Sequence, residues 1–157
     1  MHKITHCISS FNNLNYLKLA VKSVRENSYY KDAPFIIHTE NSVDGTNEWL
    51  KENSEKWNFD YYIEDNDNPI GIGGGINFCA ERVKTEFINF LHADFYVSKN
   101  WDIELLKMFD KYPDEKLMVF SHRIQPDIFG DENRPGTVFV PLGEFGEFHH
   151  NFDEKYF

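Results

Sequence analysis

An α/β fold with a mainly parallel sheet, helices on both faces and an irregular C-terminal flap is predicted by three features of this 157-residue chain. Short apolar, β-prone runs alternate four times with stretches of helical periodicity, and that alternation builds parallel sheets covered by crossover helices. Polar clusters follow the apolar runs, which puts them at the carboxyl ends of the strands, where ligands bind in such sheets. Past Ser121, glycine, proline and aromatic residues take over with no long periodic run. Residues 1–121 are therefore expected to form the α/β core and 122–157 a flap with short strands, continuous with it in one domain.

The elements can be placed in order. Ile4 to Ser9 is a short strand ending in Ser9-Ser10-Phe11-Asn12-Asn13, and Leu14, Leu17, Val21 and Val24 then recur at helical spacing through Leu14–Arg25. Phe35-Ile36-Ile37 breaks into Asn41-Ser42-Val43-Asp44-Gly45-Thr46, where Asp44 or Thr46 is suited to cap the helix signalled by Trp49 and Leu50. Phe59 to Ile63 reads as a third strand. Ile76, Cys79, Ala80 and Val83 give one apolar face to a third helix, opened by Gly73-Gly74-Gly75. Phe87 to Leu91 is the clearest strand and runs into His92-Ala93-Asp94. A helix through Trp101, Leu105, Leu106 and Phe109 follows, and Leu117 to Phe120 is expected as a fifth strand.

Composition narrows the function classes. Aromatic residues at 17% and hydrophobic residues at 41% mark a folded globule. The net charge is −10 with no basic stripe, which argues against nucleic acid as a partner. An acidic protein that binds an anionic nucleotide needs local help, from a metal ion or from backbone N–H groups. Cys7 in an apolar run and Cys79 on a helix face read as buried thiols rather than as a disulfide or metal pair. No stretch approaches the roughly 20 apolar residues of a membrane span, and the N-terminus lacks the apolar run of a signal peptide. The expectation is a reducing, cytoplasmic compartment.

Three groups of residues are candidates for chemistry. Asp94 follows an apolar strand, so its carboxylate is expected at the sheet's carboxyl edge, a hard ligand for Mg2+ or Mn2+ on a diphosphate; turn-capping is the ordinary role of an Asp there. His92 would share its side if the strand continues. Gly71-Ile72-Gly73-Gly74-Gly75 before a helix lets backbone approach a ligand, but it matches neither a P-loop nor a dinucleotide fingerprint and also suits a plain tight turn. His149 and His150, with Asp153, Glu154 and His122, are the elements of a metal site or of a solvated surface.

Taken in order, these segments resemble family 2 glycosyltransferases of the GT-A (Rossmann-like) fold. Ile8-Ser9-Ser10-Phe11-Asn12 resembles that family's first strand and turn, with Ser9 in place of the usual proline. Asn41 to Thr46 resembles the tail of "D-N-G-S-x-D-G-T", with Thr39 at the family's base- or ribose-binding aspartate and Glu40 beside it. Asn68 to Asn77 is similar to a glycine-rich segment of rhamnosyltransferase-like members. "FINFLHAD", Phe87 to Asp94, resembles the strand bearing the D-x-D motif, with His92 in place of the first acid and Asp94 as the second. Asn151 to Phe157 resembles "G-x-F-D-E-x-F-F", which precedes the family's catalytic base.

The resemblance implies an inverting, metal-assisted transfer of a sugar from a nucleotide-diphosphate-sugar to a glycan or other hydroxyl acceptor. It implies a metal, Mn2+ or Mg2+, on Asp94 and His92. It implies donor contacts from Ser9, Ser10, Phe11, Asn12, Thr39, Glu40 and Asp44, with Gly73, Gly74, Asn77 and the His92-Ala93-Asp94 turn on the sugar-diphosphate side. The base is expected just beyond Phe157, which suggests a fragment of a longer product. The alternatives are a shortened, binding-only relative, or a base among Glu144, Glu147, Asp153 and Glu154 in a rearranged flap. A sugar nucleotidyltransferase shares the fold but should carry a basic residue after the first strand, which Ser9–Asn13 lacks.

Overall fold

A computed structural model describes residues 3–113, 116–121, 123–126 and 137–140. The chain divides into two compact units, Met1–Lys99 and Asn100–Phe157.

The first unit is a four-stranded parallel sheet in the order β3-β2-β1-β4, formed by β1 (Ile4–Ser10), β2 (Phe35–Glu40), β3 (Asp60–Glu64) and β4 (Phe87–His92). The central strands β1 and β2 are buried almost throughout, as strands covered on both faces should be, whereas the edge strands are half-exposed. Three helices connect them: α1 (Leu14–Asn27), α2 (Thr46–Trp57) and α3 (Gly71–Ala80). Successive side chains of β2 face opposite sides. Phe35 lies under the guanidinium of Arg25 from α1, while Ile36 packs with Cys79 of α3 and Cys7 of β1. Helices thus cover both faces. The connection from β3 to β4 crosses back past β2 and β1, so the chain order reverses beside β1.

Arg25 ties α1 to its surroundings. Its Nε donates to Trp57 O at 2.7 Å, one terminal nitrogen to Lys31 O and Ala33 O, both at 2.8 Å, and the other to Asn58 O. Burial lowers its pKa to about 10, so the side chain stays charged at neutral pH. Cys7 and Cys79 are free, buried and in mutual contact, and the Cys7 thiol is pushed up by the hydrogen bond it shares with Cys79 and by burial.

Two expectations about the helix starts need correction. The third helix begins at Gly71, so Gly73, Gly74 and Gly75 lie within it rather than before it. Gly71 makes the entry with φ +68°, a conformation that costs glycine little. The capping of α2 is shared: Gly45 is the cap residue, and Asp44 Oδ1 receives the Thr46 backbone N–H and hydroxyl at 3.1 and 2.6 Å.

In the second unit, α4 (Trp101–Lys111) has Asp102 and Glu104 in its first turn and Lys111 in its last, which suits the helix dipole. Two short strands, β5 (Arg123–Pro126) and β6 (Thr137–Val140), pair in parallel. Leu117–Phe120 does not form the expected fifth strand. It adopts no regular element, and Met118 and Phe120 are 79% and 78% exposed, so among the described residues this apolar run has no neighbouring strand to pair with. No described helix is long and apolar enough to cross a membrane.

Candidate functional site

The carboxyl edge of the sheet is built by loops that hold one another. Asn12, at φ +46°, accepts the Val43 N–H on its Oδ1 and donates its own N–H to Ser42 Oγ, joining the β1–α1 loop to the β2–α2 loop. Asp44 Oδ2 accepts the N–H of Leu14 at 2.8 Å, satisfying an N-terminal donor of α1 from a loop 30 residues away. Asn41 and Asn66 exchange two hydrogen bonds of 2.9 and 3.0 Å, which fix the β3–α3 loop against the same edge.

Between these loops lies a cleft of about 580 Å3. Ser9, Ser10, Phe11 and Asn13 line it from the end of β1, Glu40 and Asn41 from β2, Pro69, Gly71 and Ile72 from the start of α3, and His92, Ala93 and Asp94 from the end of β4. A second cavity of about 600 Å3 lies at the amino-terminal side of β2 and β3, against Asp32, Phe35 and Asp60, away from these residues. Position in the sheet favours the first, because ligands of open α/β sheets bind beyond the strands' carboxyl ends where the order reverses.

Of the residues expected to contact a donor, Ser9, Ser10, Phe11, Glu40, His92, Ala93 and Asp94 are gathered around this cleft. The others are not among its lining residues. Thr39 is wholly buried on the opposite face of β2 from Glu40, with its hydroxyl 2.8 Å from Ser42 Oγ. Asn12 and Asp44 spend their side chains on loop contacts. Gly73 and Asn77 are exposed on α3, and a Cβ on Gly74 would meet the Ile70 side chain. Asn13, Asn41 and Pro69 line the cleft without having been named as donor contacts. Gly71 and Ile72, from the glycine run expected to allow a close backbone approach to a ligand, line it as well. Glu144, Glu147, His149, His150, Asp153 and Glu154, together with His122, lie outside the described residues.

Glu40 is the centre of the floor. It is 5% exposed, and its two carboxylate oxygens accept the N–H groups of Ile70 at 2.9 Å and Gly71 at 2.6 Å, so it caps α3 at the positive end of the helix dipole. Helix α3 sits close because Gly75 has no side chain: a Cβ there would strike Ser9 Oγ and stand 2.6 Å from His38 Nδ1. His38 is wholly buried, with Nε2 3.1 Å from Glu64 Oε2. Neither residue was anticipated from the sequence, although the spacing His38-x-Glu40 in a strand puts both on one face.

Among the described residues, no lysine or arginine lines the cleft, so an anionic ligand would meet Glu40 and Asp94 with no compensating side-chain cation from that set. Asp94 and the exposed His92, whose ring lies 5.1 Å from that of Phe95, form a donor set of one carboxylate and one imidazole at the cleft's β4 side. That set fits a hexacoordinate Mn2+ or Mg2+ that takes its other ligands from phosphate oxygens and water.

The sheet order, the crossovers and the cleft define a Rossmann-like α/β domain with a cleft at the strand ends. The family model described as "Glycosyl transferase family 2" matches residues 5–155, and the chain belongs to that family. A search of curated proteins gave no match.

Solved structures are similar in fold. S. aureus TarS residues 1–349 in complex with UDP is 18% identical, with a TM-score of 0.64 over 93% of this chain and 40% of that one. The same protein in complex with UDP-GlcNAc is 16% identical at 0.61 over 93% and 39%. The mannosyltransferase PcManGT from Pyrobaculum calidifontis, in complex with GDP-Man and Mn2+, is 14% identical at 0.57 over 79% and 35%. The chain spans two-fifths or less of the length of these structures, and 24% of the longer TarS chain.

Proposed function

We propose that this chain is the donor-binding part of a metal-assisted, inverting glycosyltransferase that passes a sugar from a nucleotide-diphosphate-sugar to a glycan or other hydroxyl acceptor. The observation that carries this reading is the convergence of Ser9, Glu40, the α3 entry and Asp94 on one cleft in a family 2 domain. The nucleotide sugars in the TarS and PcManGT structures support the donor class, and the Mn2+ in the latter supports the cofactor. The segment Ser9–Asn13, directly after β1, carries no basic residue, which speaks against a nucleotidyltransferase.

In this reading, Ser9, Ser10 and Phe11 border the nucleoside, with the exposed Phe11 ring available for stacking. Glu40 accepts hydrogen bonds from the ribose or the base. Asn12, Thr39 and Asp44 act indirectly, by holding the loops that carry these groups. Asp94 and His92 hold the divalent cation, which when bound neutralises charge on the departing diphosphate. Inversion requires a carboxylate that takes the acceptor hydroxyl's proton as its oxygen attacks the anomeric carbon.

Thermal stability tests the binding part. A UDP-, dTDP- or GDP-sugar should raise the melting temperature of the wild type only with Mn2+ or Mg2+, and Asp94→Ala should abolish the rise. If none of these nucleotides shifts the wild-type melting temperature, the donor site is wrongly assigned.

A further inference from the structure

His38, Glu40 and Glu64 each bring a ligating atom to one place, and these atoms lie within 4.8 Å of one another. His38 and Glu40 share a face of β2 by strand alternation. Glu64 is the direct partner of Glu40 across the β2–β3 ladder. Like charges set opposite each other on neighbouring strands repel, and Glu40 is almost fully buried, where solvent screens poorly. Among the described residues, neither glutamate is paired with a lysine or arginine; their partners are His38, Asn66 and two backbone N–H groups. His38 is itself wholly buried, and among the described residues its Nδ1 has no hydrogen-bond partner, an unfavourable state for a buried ring nitrogen.

We propose that His38 Nε2 and the carboxylates of Glu40 and Glu64 form a second divalent-cation site, of the Zn2+ or Mn2+ class, separate from the pair His92 and Asp94. One imidazole with two carboxylates, and positions left for water, is a donor set those ions accept. Each Glu40 oxygen gives one lone pair to a backbone N–H and retains another for a cation. A cation on Nε2 leaves the imidazole proton on Nδ1, on the side where Ser9 Oγ also borders Gly75. The cation offsets the repulsion between the glutamates and joins β2, β3 and, through Glu40, the start of α3. Asp94 lies at the end of β4, with β1 between that strand and β2, so the two sites are lost by different substitutions.

Calorimetric titration of the metal-stripped protein with Zn2+ and with Mn2+, without nucleotide, tests the site. Wild type should bind one ion, Asp94→Ala should bind it equally well, and Glu64→Gln should bind it at least about tenfold more weakly. Glutamine keeps an oxygen for His38, so metal-free Glu64→Gln should melt close to the wild type, which separates loss of the site from loss of the fold. No binding by the wild type, equal binding by Glu64→Gln, or binding removed by Asp94→Ala would each overturn the proposal. Nucleotide-dependent stabilisation is measured separately, so failure here leaves the donor reading to its own test.

Discussion

Thr39 and Glu40 are neighbours in sequence that face opposite sides of β2. The resemblance put a donor contact at Thr39, yet strand alternation sends its hydroxyl to Ser42 and gives the cleft to Glu40. That outcome is legible in the sequence once the strand is placed. The meeting of His38 with Glu64 is not, because it depends on the β2–β3 register, which a single sequence leaves open. Asp44 is the reverse case: its capping chemistry is readable, but its reach to Leu14 of α1 comes only from the fold. Although desolvation opposes it, hydrogen bonds from the Thr46 hydroxyl and from the N–H groups of Leu14 and Thr46 hold the Asp44 carboxyl below its ordinary value of 3.8. A group lowered in the folded state contributes stability above its unfolded pKa and loses it as pH falls through the folded pKa. Asp44→Asn should therefore cost about 1 kcal/mol near neutrality, the usual scale of a lost cap. The difference from wild type should close as pH drops through and below 3.8. Urea unfolding at neutral pH and at about pH 3 measures both; a gap of unchanged size would mean that the charge on Asp44 contributes nothing.

At the scale of elements, the sheet was the easier part to read and α3 the harder. Runs such as Phe87–Leu91 and Phe35–Ile37 carry enough apolar and β-branched character to fix strands β4 and β2, and the helical spacing of Leu14, Leu17, Val21 and Val24 fixes α1. Gly71–Gly75 reads as a turn because glycine weakens a helix by about 1 kcal/mol per residue. Here tertiary contacts override that preference: Glu40 receives two N–H groups at the helix entry, and Gly75 lets the helix lie against Ser9 and His38. Leu117–Phe120 is the opposite case: local composition predicts a strand, yet among the described residues no strand pairs with it. Gly75→Ala isolates the close approach. Its Cβ would need the space now held by Ser9 Oγ and His38 Nδ1, both on buried strands, so the helix must move outward. The expected cost is about 1–3 kcal/mol, the range for overpacking, together with a weaker nucleotide-induced rise in melting temperature. Denaturant titration gives the first quantity and thermal shift with Mn2+ the second. Unchanged stability and unchanged binding would show that α3 is not held at this distance by Gly75.

Charge acts over the whole molecule. The chain carries −10, and among the described residues the cleft is lined by Glu40 and Asp94 with no lysine or arginine. A free nucleoside diphosphate therefore approaches a like-charged body, while its complex with a divalent cation approaches with most of its own charge cancelled. Salt distinguishes the two situations, because the screening length falls from about 30 Å at 0.01 M to about 8 Å at 0.15 M ionic strength. With a chelator present, affinity for UDP or GDP should rise as salt is added, since the repulsion being screened is net. With Mn2+ in excess, the same titration should be flat or fall slightly. The backbone N–H groups at the α3 entry offer the only competing attraction visible around the cleft among the described residues, and Glu40 already accepts two of them. Should metal-free affinity instead fall with salt, the cleft would present a positive potential to the diphosphate despite the charge of the chain. The case for a metal as the required counter-charge would then be lost, even if nucleotide binding itself remained.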